Sequence, residues 1–98
     1  MANDKKMNVY QYGDTIRLEC TFYDFSGEKV DPEYVNIIIY DSRYNELFKG
    51  EGLSKGSVGE YFYDYTTEKK EQRLYYEWYG MIDGKPSLKR GEFMTKFI

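Results

Sequence analysis

Apolar and polar side chains alternate along residues 15–23. This period of two is typical of a β-strand with one buried face and one exposed face. The residues on the apolar side are Ile16, Leu18, Cys20 and Phe22. Turn-forming residues at 24–28 end the run. The pattern predicts a strand that contributes one face to a hydrophobic core.

The last quarter of the chain carries the pattern of a β-hairpin. Two aromatic and aliphatic runs, residues 75–82 and 90–97, flank the dipeptide Asp83-Gly84. Asp-Gly between apolar runs is the strongest short-range hairpin signal, because both residues tolerate positive φ. Pro86 lies just after the turn, where a proline need not remove a ladder hydrogen bond. We therefore predict that the last two strands pair with each other.

The remaining strands are predicted over residues 8–12, 34–40, 47–51 and 60–65, and the glycine-rich stretch at 50–59 is predicted to be a loop between strands. Asp31-Pro32 blocks a helix before the second of these runs, since proline disfavours the helical conformation of the residue before it. We expect Val35, Ile37 and Ile39 to face the core. In the run at 60–65 neither face is cleanly polar, and we expect the tyrosines to point inward. These residues are Tyr61, Tyr63 and Tyr65.

About seven short strands separated by turn signals predict an all-β fold, an immunoglobulin-like β-sandwich of antiparallel strands. An antibody-type domain would have a tryptophan on its third strand, and two cysteines. Here the single Trp78 lies on the sixth predicted strand, and Cys20 is the one cysteine. We therefore predict the immunoglobulin-like architecture, but we predict neither membership of the antibody family nor an internal disulfide. We expect Cys20 to be a buried core residue, as free cysteines commonly are.

Length and composition indicate one domain. A chain of 98 residues has the usual size of a single core. We predict that residues 9–98 form the domain and that residues 1–8 form a polar N-terminal arm that can be disordered. The 12 tyrosines favour sheet, because broad aromatic side chains pack well on a pleated surface.

Charge and hydropathy limit the classes of partner. The net charge is −3, and the basic residues are spread along the chain, so nucleic-acid binding lacks its main source of affinity. The longest strongly apolar run, residues 35–40, is far too short to span a membrane as a helix. Residues 1–7 lack the apolar segment of a secretory signal. We expect synthesis in the cytoplasm and no nucleic-acid or membrane partner.

The sequence offers little catalytic chemistry. It contains no histidine, which removes the commonest general base and the commonest metal ligand. Carboxylate pairs such as Asp64 with Glu60, or Asp83 with Glu77, are conceivable acids and bases for glycoside hydrolysis. Charged residues at strand ends and turns are usually only solvated, however. Residues 41–45 lack the central glycine and the spaced acids of a calcium loop. We predict no enzyme, no cofactor and no metal site.

Three segments together resemble a known family. They are Gly13-Asp14-Thr15-Ile16-Arg17-Leu18, Gly59-Glu60-Tyr61, and the hairpin with its Tyr-x-Trp-x-Gly, Asp-Gly and Arg-Gly-x-Phe signals at 76–80, 83–84 and 90–93. The chain resembles the small immunoglobulin-like domains found among bacteriophage and prophage structural proteins. This resemblance implies a non-enzymatic accessory of a virion or of its assembly, and it supplies no catalytic residues. It also implies a cytoplasmic product that can join the virion.

The outer side of the sheet built by the third, sixth and seventh strands holds the most promising candidates. If Val35, Trp78, Phe93 and Phe97 point inward, their neighbours, Asn36 among them, point outward. The expected outward residues, to which Leu88 can be added, are Ile38, Tyr40, Tyr75, Tyr79, Met81 and Met94. Exposed surfaces usually avoid aromatic and methionine side chains, whereas interfaces favour them. We predict a protein-docking face, with two alternatives: charged stems cover these rings, or a one-residue slip puts them in the core.

Two functions follow from this face. The first is a structural or interaction domain that self-associates or docks onto a larger virion protein. The second is a carbohydrate- or surface-binding β-sandwich module, since exposed tyrosines can stack on sugar rings. A hydrolase built on a carboxylate pair is the third and weakest hypothesis.

Overall fold

The computed structural model describes residues 7–51 and 54–98, and in these ranges the chain is all-β. Seven strands have four or more residues, and an eighth, β5, has two. The strands are β1 (Asn8–Gln11), β2 (Thr15–Thr21), β3 (Tyr34–Tyr40), β4 (Glu46–Gly50), β5 (Ser54–Lys55), β6 (Glu60–Thr66), β7 (Gln72–Ile82) and β8 (Lys85–Lys96). The described ranges contain no helix, and thus none that could cross a membrane.

The strands form two sheets. One has five strands in the order β1-β8-β7-β3-β4, and the other has three in the order β2-β6-β5. The predicted hairpin is present, with β7 and β8 paired along their whole length from Gln72↔Thr95 to Ile82↔Lys85. Its turn residues Asp83 and Gly84 have φ of 52° and 73°, as the two-residue hairpin turn requires. As predicted, β3, β7 and β8 belong to the same sheet.

One strand pair departs from the antiparallel prediction. β1 runs parallel to β8, with Asn8 opposite Phe93 and Gln11 opposite Lys96. After β1 the chain turns at Gly13, whose φ is 89°, and crosses to the other sheet as β2. Thr67 fixes this crossing, because its hydroxyl accepts the N–H of Gly13 at 2.8 Å. The five-stranded sheet is therefore mixed, and this pairing between chain ends leaves no local signal in the sequence.

A single core lies between the sheets. Its side chains come from the inward positions of β2, β3, β6, β7 and β8, and from Phe22, which follows β2. The buried apolar residues are Ile16, Leu18, Cys20, Phe22, Ile37, Ile39, Tyr65, Leu74, Trp78, Ile82 and Phe93. Tyr61 and Tyr63 pack against this cluster, as predicted, and the ring of Tyr63 stacks on Phe48 with centroids 4.8 Å apart. Cys20 is buried and unpaired, and burial raises its pKa to about 11.

Three predicted segments differ from the structure or lie partly outside the described residues. Phe97 was expected to face the core, but β8 ends at Lys96 and the Phe97 ring is largely exposed beside Tyr12. The glycine-rich stretch at 50–59 was predicted to be a loop, yet Ser54–Lys55 pairs with β6, while residues 52–53 lie outside the described ranges. Most of the predicted N-terminal arm, residues 1–6, also lies outside them, and β1 already begins at Asn8.

Candidate docking face

The outer side of the five-stranded sheet carries all six residues predicted for docking. Ile37, Ile39 and Trp78 are buried, so the residues that alternate with them face outward. The predicted register is therefore present, and the predicted set is not core. We call the outward side chains of this sheet the tyrosine face and define it by Tyr34, Ile38, Tyr40, Tyr44, Leu47, Tyr75, Tyr79, Met81, Leu88 and Met94.

Four of the six predicted residues form one patch. Tyr40 lies directly opposite Tyr75 on the neighbouring strand. Ile38 lies opposite Glu77 and is therefore a diagonal neighbour of both Tyr75 and Tyr79. These side chains are all half-buried and form the floor of the face.

The two methionines lie at opposite ends of the sheet. Met81 is opposite Tyr34, whereas Met94 is opposite Arg73 and beside Val9. Met81 lies eight positions after Arg73 on β7, a distance of roughly 27 Å along an extended strand. Met81 and Met94 thus border the patch without touching each other.

The most exposed apolar side chains of the face include three that the sequence analysis missed. Tyr44, Leu88, Tyr34 and Leu47 are 67%, 43%, 41% and 39% exposed. Leu88 is the one of these four residues that the sequence pattern had already suggested for the outer face. Tyr34 shares the outward alternation of Ile38 and Tyr40, so the same pattern could have identified it. Tyr44 and Leu47 lie in a turn and beside a β-bulge, where alternation gives no guidance.

The turn that carries Tyr44 is held by Asp41. One carboxylate oxygen of Asp41 accepts the backbone N–H groups of Arg43 and Asn45, at 2.8 and 2.9 Å. The hydrogen bond from the backbone of Asn45 is the main cause of the lowered pKa of Asp41. Tyr44 has a φ of 66°, a left-handed conformation that non-glycine residues seldom adopt. Its ring stacks on that of Tyr75, with centroids 4.8 Å apart and planes 18° apart.

Hydrogen bonds organise the other end of the face. The Tyr34 hydroxyl donates to Glu51 at 2.7 Å and accepts the side-chain amide of Asn36 at 3.0 Å. The Tyr34 ring meets Tyr79 edge to face, at 6.1 Å between centroids. Asn36 occupies an outward position, as expected, but it is buried, and its amide oxygen has no hydrogen-bond partner among the described residues.

Three ion pairs lie on the same surface. Glu77 accepts Arg90 Nε at 2.7 Å, and the more distant pairs Lys49–Glu51 and Arg73–Glu92 measure 4.0 and 3.9 Å. Their charges cancel in number, and Glu46 at the rim adds one negative charge. Burial raises the pKa of Tyr40, and the charges of Glu77 and Glu46 add to that shift.

A groove of about 400 Å³ opens between the stacked tyrosines and the Glu77–Arg90 pair. Its lining residues are Tyr40, Tyr44, Tyr75, Tyr76, Glu77, Arg90 and Gly91. The groove combines exposed aromatic rings with a carboxylate and a guanidinium. Such a surface can take an apolar side chain or a polyhydroxylated ligand.

The outer side of the other sheet is different in kind. Its outward residues on β2 are Thr15, Arg17, Glu19 and Thr21. The Arg17 guanidinium lies 3.9 Å from the centre of the Phe62 ring and binds Asp64 through two hydrogen bonds of 2.8 and 3.0 Å. Arg17 therefore covers the exposed aromatic ring of this side. In residues 7–51 and 54–98 no comparable cover lies over Tyr44 or Leu88, which are exposed.

Three of the four carboxylates considered as acid and base are ion-paired, and the fourth, Asp83, lies in the β7–β8 turn. Asp64 pairs with Arg17, Glu60 pairs with Lys29 at 2.6 Å, and Glu77 pairs with Arg90. Within residues 7–51 and 54–98, no group of three or more histidine, cysteine, aspartate or glutamate side chains is arranged to hold a metal ion.

Comparison with known proteins identifies no relative. No protein-family model matches the chain, and neither a curated protein nor a solved structure matches it. The structure by itself establishes an all-β protein of two sheets, one of them mixed, with clusters of exposed tyrosines on the larger sheet.

Proposed function

We propose that this chain is a non-enzymatic interaction domain that docks a protein partner through the tyrosine face. We further propose that it has an immunoglobulin-like arrangement and serves as a bacteriophage or prophage virion or assembly accessory.

The observation that carries the docking proposal is the contrast between the two outer surfaces. On the β2–β6 side, Arg17 covers Phe62 and the other outward residues of β2 are polar. On the tyrosine face, Tyr44 and Leu88 remain exposed above a floor of half-buried aromatic side chains. Tyrosine, methionine and arginine are the residue types that interface cores favour. Of the two outer sheet surfaces in the described ranges, the tyrosine face therefore carries the uncovered apolar side chains, while Phe25 and Val58 are exposed in connecting turns.

The strand order supports the immunoglobulin-like arrangement. In variable-type domains the first sheet includes the second, fourth and fifth core strands, while the other sheet includes the third, sixth and seventh with an added edge strand. Here β2, β6 and β5 group together, and β3, β7 and β8 group with β4. The parallel strand β1 is then an additional edge beside β8.

The phage assignment rests on the resemblance of the hairpin segment around Trp78, Asp83-Gly84 and Arg90-Gly91. It carries the expectation of synthesis in the bacterial cytoplasm followed by incorporation into the particle.

Site-specific photo-cross-linking during particle assembly tests both parts of the proposal. A benzophenone amino acid at Leu88 would lie on the tyrosine face, and the same amino acid at Glu19 provides a matched control on the polar side. We expect position 88 to yield a cross-link to a protein in purified particles, and position 19 to yield none. Particles without the chain would contradict the phage assignment, and equal cross-linking from both positions would contradict the docking face.

The groove beside Arg90 favours a second candidate function, carbohydrate binding. The free side of the Tyr44 ring can stack on a sugar ring, while Glu77 and Arg90 supply hydrogen-bonding groups within the same groove. Binding of the wild-type chain to a panel of glycans, with Tyr44→Gly as the control variant, tests the carbohydrate-binding hypothesis. Binding that is lost in Tyr44→Gly would support it, and no signal at millimolar glycan would exclude it.

A further inference from the structure

We infer that the partner on the tyrosine face is a second copy of this chain, packed face to face about a two-fold axis. The inference rests on the proposed function, because it identifies the protein that the docking face receives. Three features of the described residues favour a copy over a different protein.

The first feature is the charge balance of the face. Its pairs Lys49–Glu51, Arg73–Glu92 and Glu77–Arg90 contain equal numbers of cations and anions. A strongly acidic or strongly basic partner would gain little from such a surface, because complementary potentials require opposite net charge. An identical surface meets it without a large net charge on either side, because Glu46 and Lys96 carry opposite charges, and both copies keep their internal pairs.

The second feature is size. The outer surface extends over the 11 residues of β7 and across five strands. The five strands have 4, 12, 11, 7 and 5 residues, and at the rise and spacing typical of sheets they cover roughly 600 Å² of projected area. A standard stable interface uses roughly 800 Å² per partner, so one face meeting its copy approaches the size of a complete interface.

The third feature is that the described edges of the five-stranded sheet are poorly suited to pairing. β1 has only four residues, and β4 carries Lys49 and a register shift where Tyr40 pairs with Glu46. Short edges, lysines and bulges are the devices that prevent edge-to-edge association. The large flat surface is therefore the better route to a closed dimer, because a two-fold contact uses the same patch on both subunits.

Exposed side chains supply the contact on both ends of the face. Tyr44 and Leu47 protrude at one end, and Tyr34 and Leu88 protrude at the other. Packed sheets lie about 10 Å apart, a distance that side chains from both faces must fill together. The shallow groove beside Tyr44 gives a protruding side chain of the second copy a place to insert.

Light scattering coupled to size-exclusion chromatography tests the inference on the purified full chain across a hundredfold concentration range. We expect the mass to rise from the 11.8 kDa of one chain towards twice that value. Leu88→Lys should weaken the dimer at least about tenfold, since two lysines would be buried against apolar surface. Glu19→Lys, on the polar side, should leave the dimer unchanged. Tyr44→Gly supplies a second variant on the face.

Each outcome separates this inference from the proposed function. A wild-type monomer at every concentration overturns self-pairing, and a particle cross-link from position 88 would then leave the docking function in place. A wild-type monomer that also gives no cross-link overturns both. A dimer that tolerates Leu88→Lys and Tyr44→Gly as well as Glu19→Lys uses another surface and overturns the inference.

Discussion

The ring of Tyr44 lies nearly parallel to the ring of Tyr75, with centroids 4.8 Å apart. This contact joins a turn to the middle of the sheet, although 31 positions separate the two residues in the chain. The turn holds the backbone of Tyr44 in a left-handed conformation. Despite the stacking, 67% of the surface of this residue is exposed. Strained backbone of this kind is often kept where a side chain is needed for function.

Replacing Tyr44 should separate its contribution to association from its contribution to stability. Tyr44→Ala loses a stacked pair worth about 1 kcal/mol and keeps the left-handed backbone. Tyr44→Gly loses the same pair but relieves backbone strain of roughly 1–2 kcal/mol, so its unfolding free energy should stay near the wild-type value. Urea denaturation measures the stability of both variants, and light scattering measures association.

We expect both Tyr44 variants to associate more weakly and only the alanine variant to be less stable. Equal destabilisation of the two variants would show that the left-handed backbone is not a source of strain. Unchanged association would show that Tyr44 lies outside the interface.

Gly80 should not tolerate a side chain. A Cβ at this position would lie 2.6 Å from Cε1 of Phe22, which is fully buried. Gly80→Ala should therefore lower the unfolding free energy by about 1–3 kcal/mol, the usual cost of overpacking a core. Gly56→Ala is the matched control, because its nearest neighbour is the flexible Glu60 side chain at 3.4 Å.

A double-mutant cycle tests whether contact with the Phe22 ring causes the loss of unfolding free energy in Gly80→Ala. The cost of Gly80→Ala should be smaller in a Phe22→Leu background, where the opposing ring is absent. A cost that is identical in both backgrounds would assign the effect to the β7 backbone instead.

Acid should destabilise the fold. The pKa values of Asp24, Asp31 and Asp41 are lowered, each chiefly by a hydrogen bond from a backbone N–H, and the pKa of Asp64 is lowered chiefly by Arg17. A carboxyl group with a lower pKa in the folded state stabilises that state above the unfolded pKa of roughly 4. This contribution disappears as the pH falls through the folded pKa.

Urea denaturation between pH 7 and pH 2.5 measures this loss, with the fluorescence of the buried Trp78 as reporter. The unfolding free energy should fall below about pH 4. Asp31→Asn removes one titrating group whose carboxylate accepts the N–H of Gly59, and its pH dependence should be shallower. A variant curve parallel to the wild-type curve would contradict the contribution of Asp31.

Cys20 should be inert in the folded chain. Burial raises its pKa to about 11, so the thiol stays protonated near pH 8, and the core blocks access to it. A disulfide reagent such as Ellman's reagent should react with Cys20 only after denaturant is added. Stoichiometric reaction within minutes under native conditions would place Cys20 outside a stable core.

The sequence predicted the elements that depend on local pattern. Alternation in β2 identified Ile16, Leu18 and Cys20 as core, and Asp83-Gly84 identified the hairpin, because both signals depend on neighbouring residues. The same alternation gave the correct register of the tyrosine face, since burying Trp78 forces Tyr79 outward.

The remaining features depend on contacts between distant parts of the chain. The parallel pairing of Asn8 with Phe93 joins the two ends of the domain, and nothing local encodes its direction. Tyr44 reaches the face through a turn conformation set by Asp41, which alternation does not describe. Phe97 follows the period of β8 but lies beyond the last paired residue, so the period no longer determines its burial.

Pairing of two copies through the tyrosine face is tested most directly by a dilution series of amide spectra recorded by NMR on the ¹⁵N-labelled chain. We predict that concentration-dependent shifts and broadening concentrate on β3, β7 and β8, at residues such as Ile38, Tyr79 and Leu88, and leave the outward residues of β2 unchanged. Spectra that are identical from micromolar to millimolar concentration, or changes centred on Arg17 and Glu19, would contradict the account.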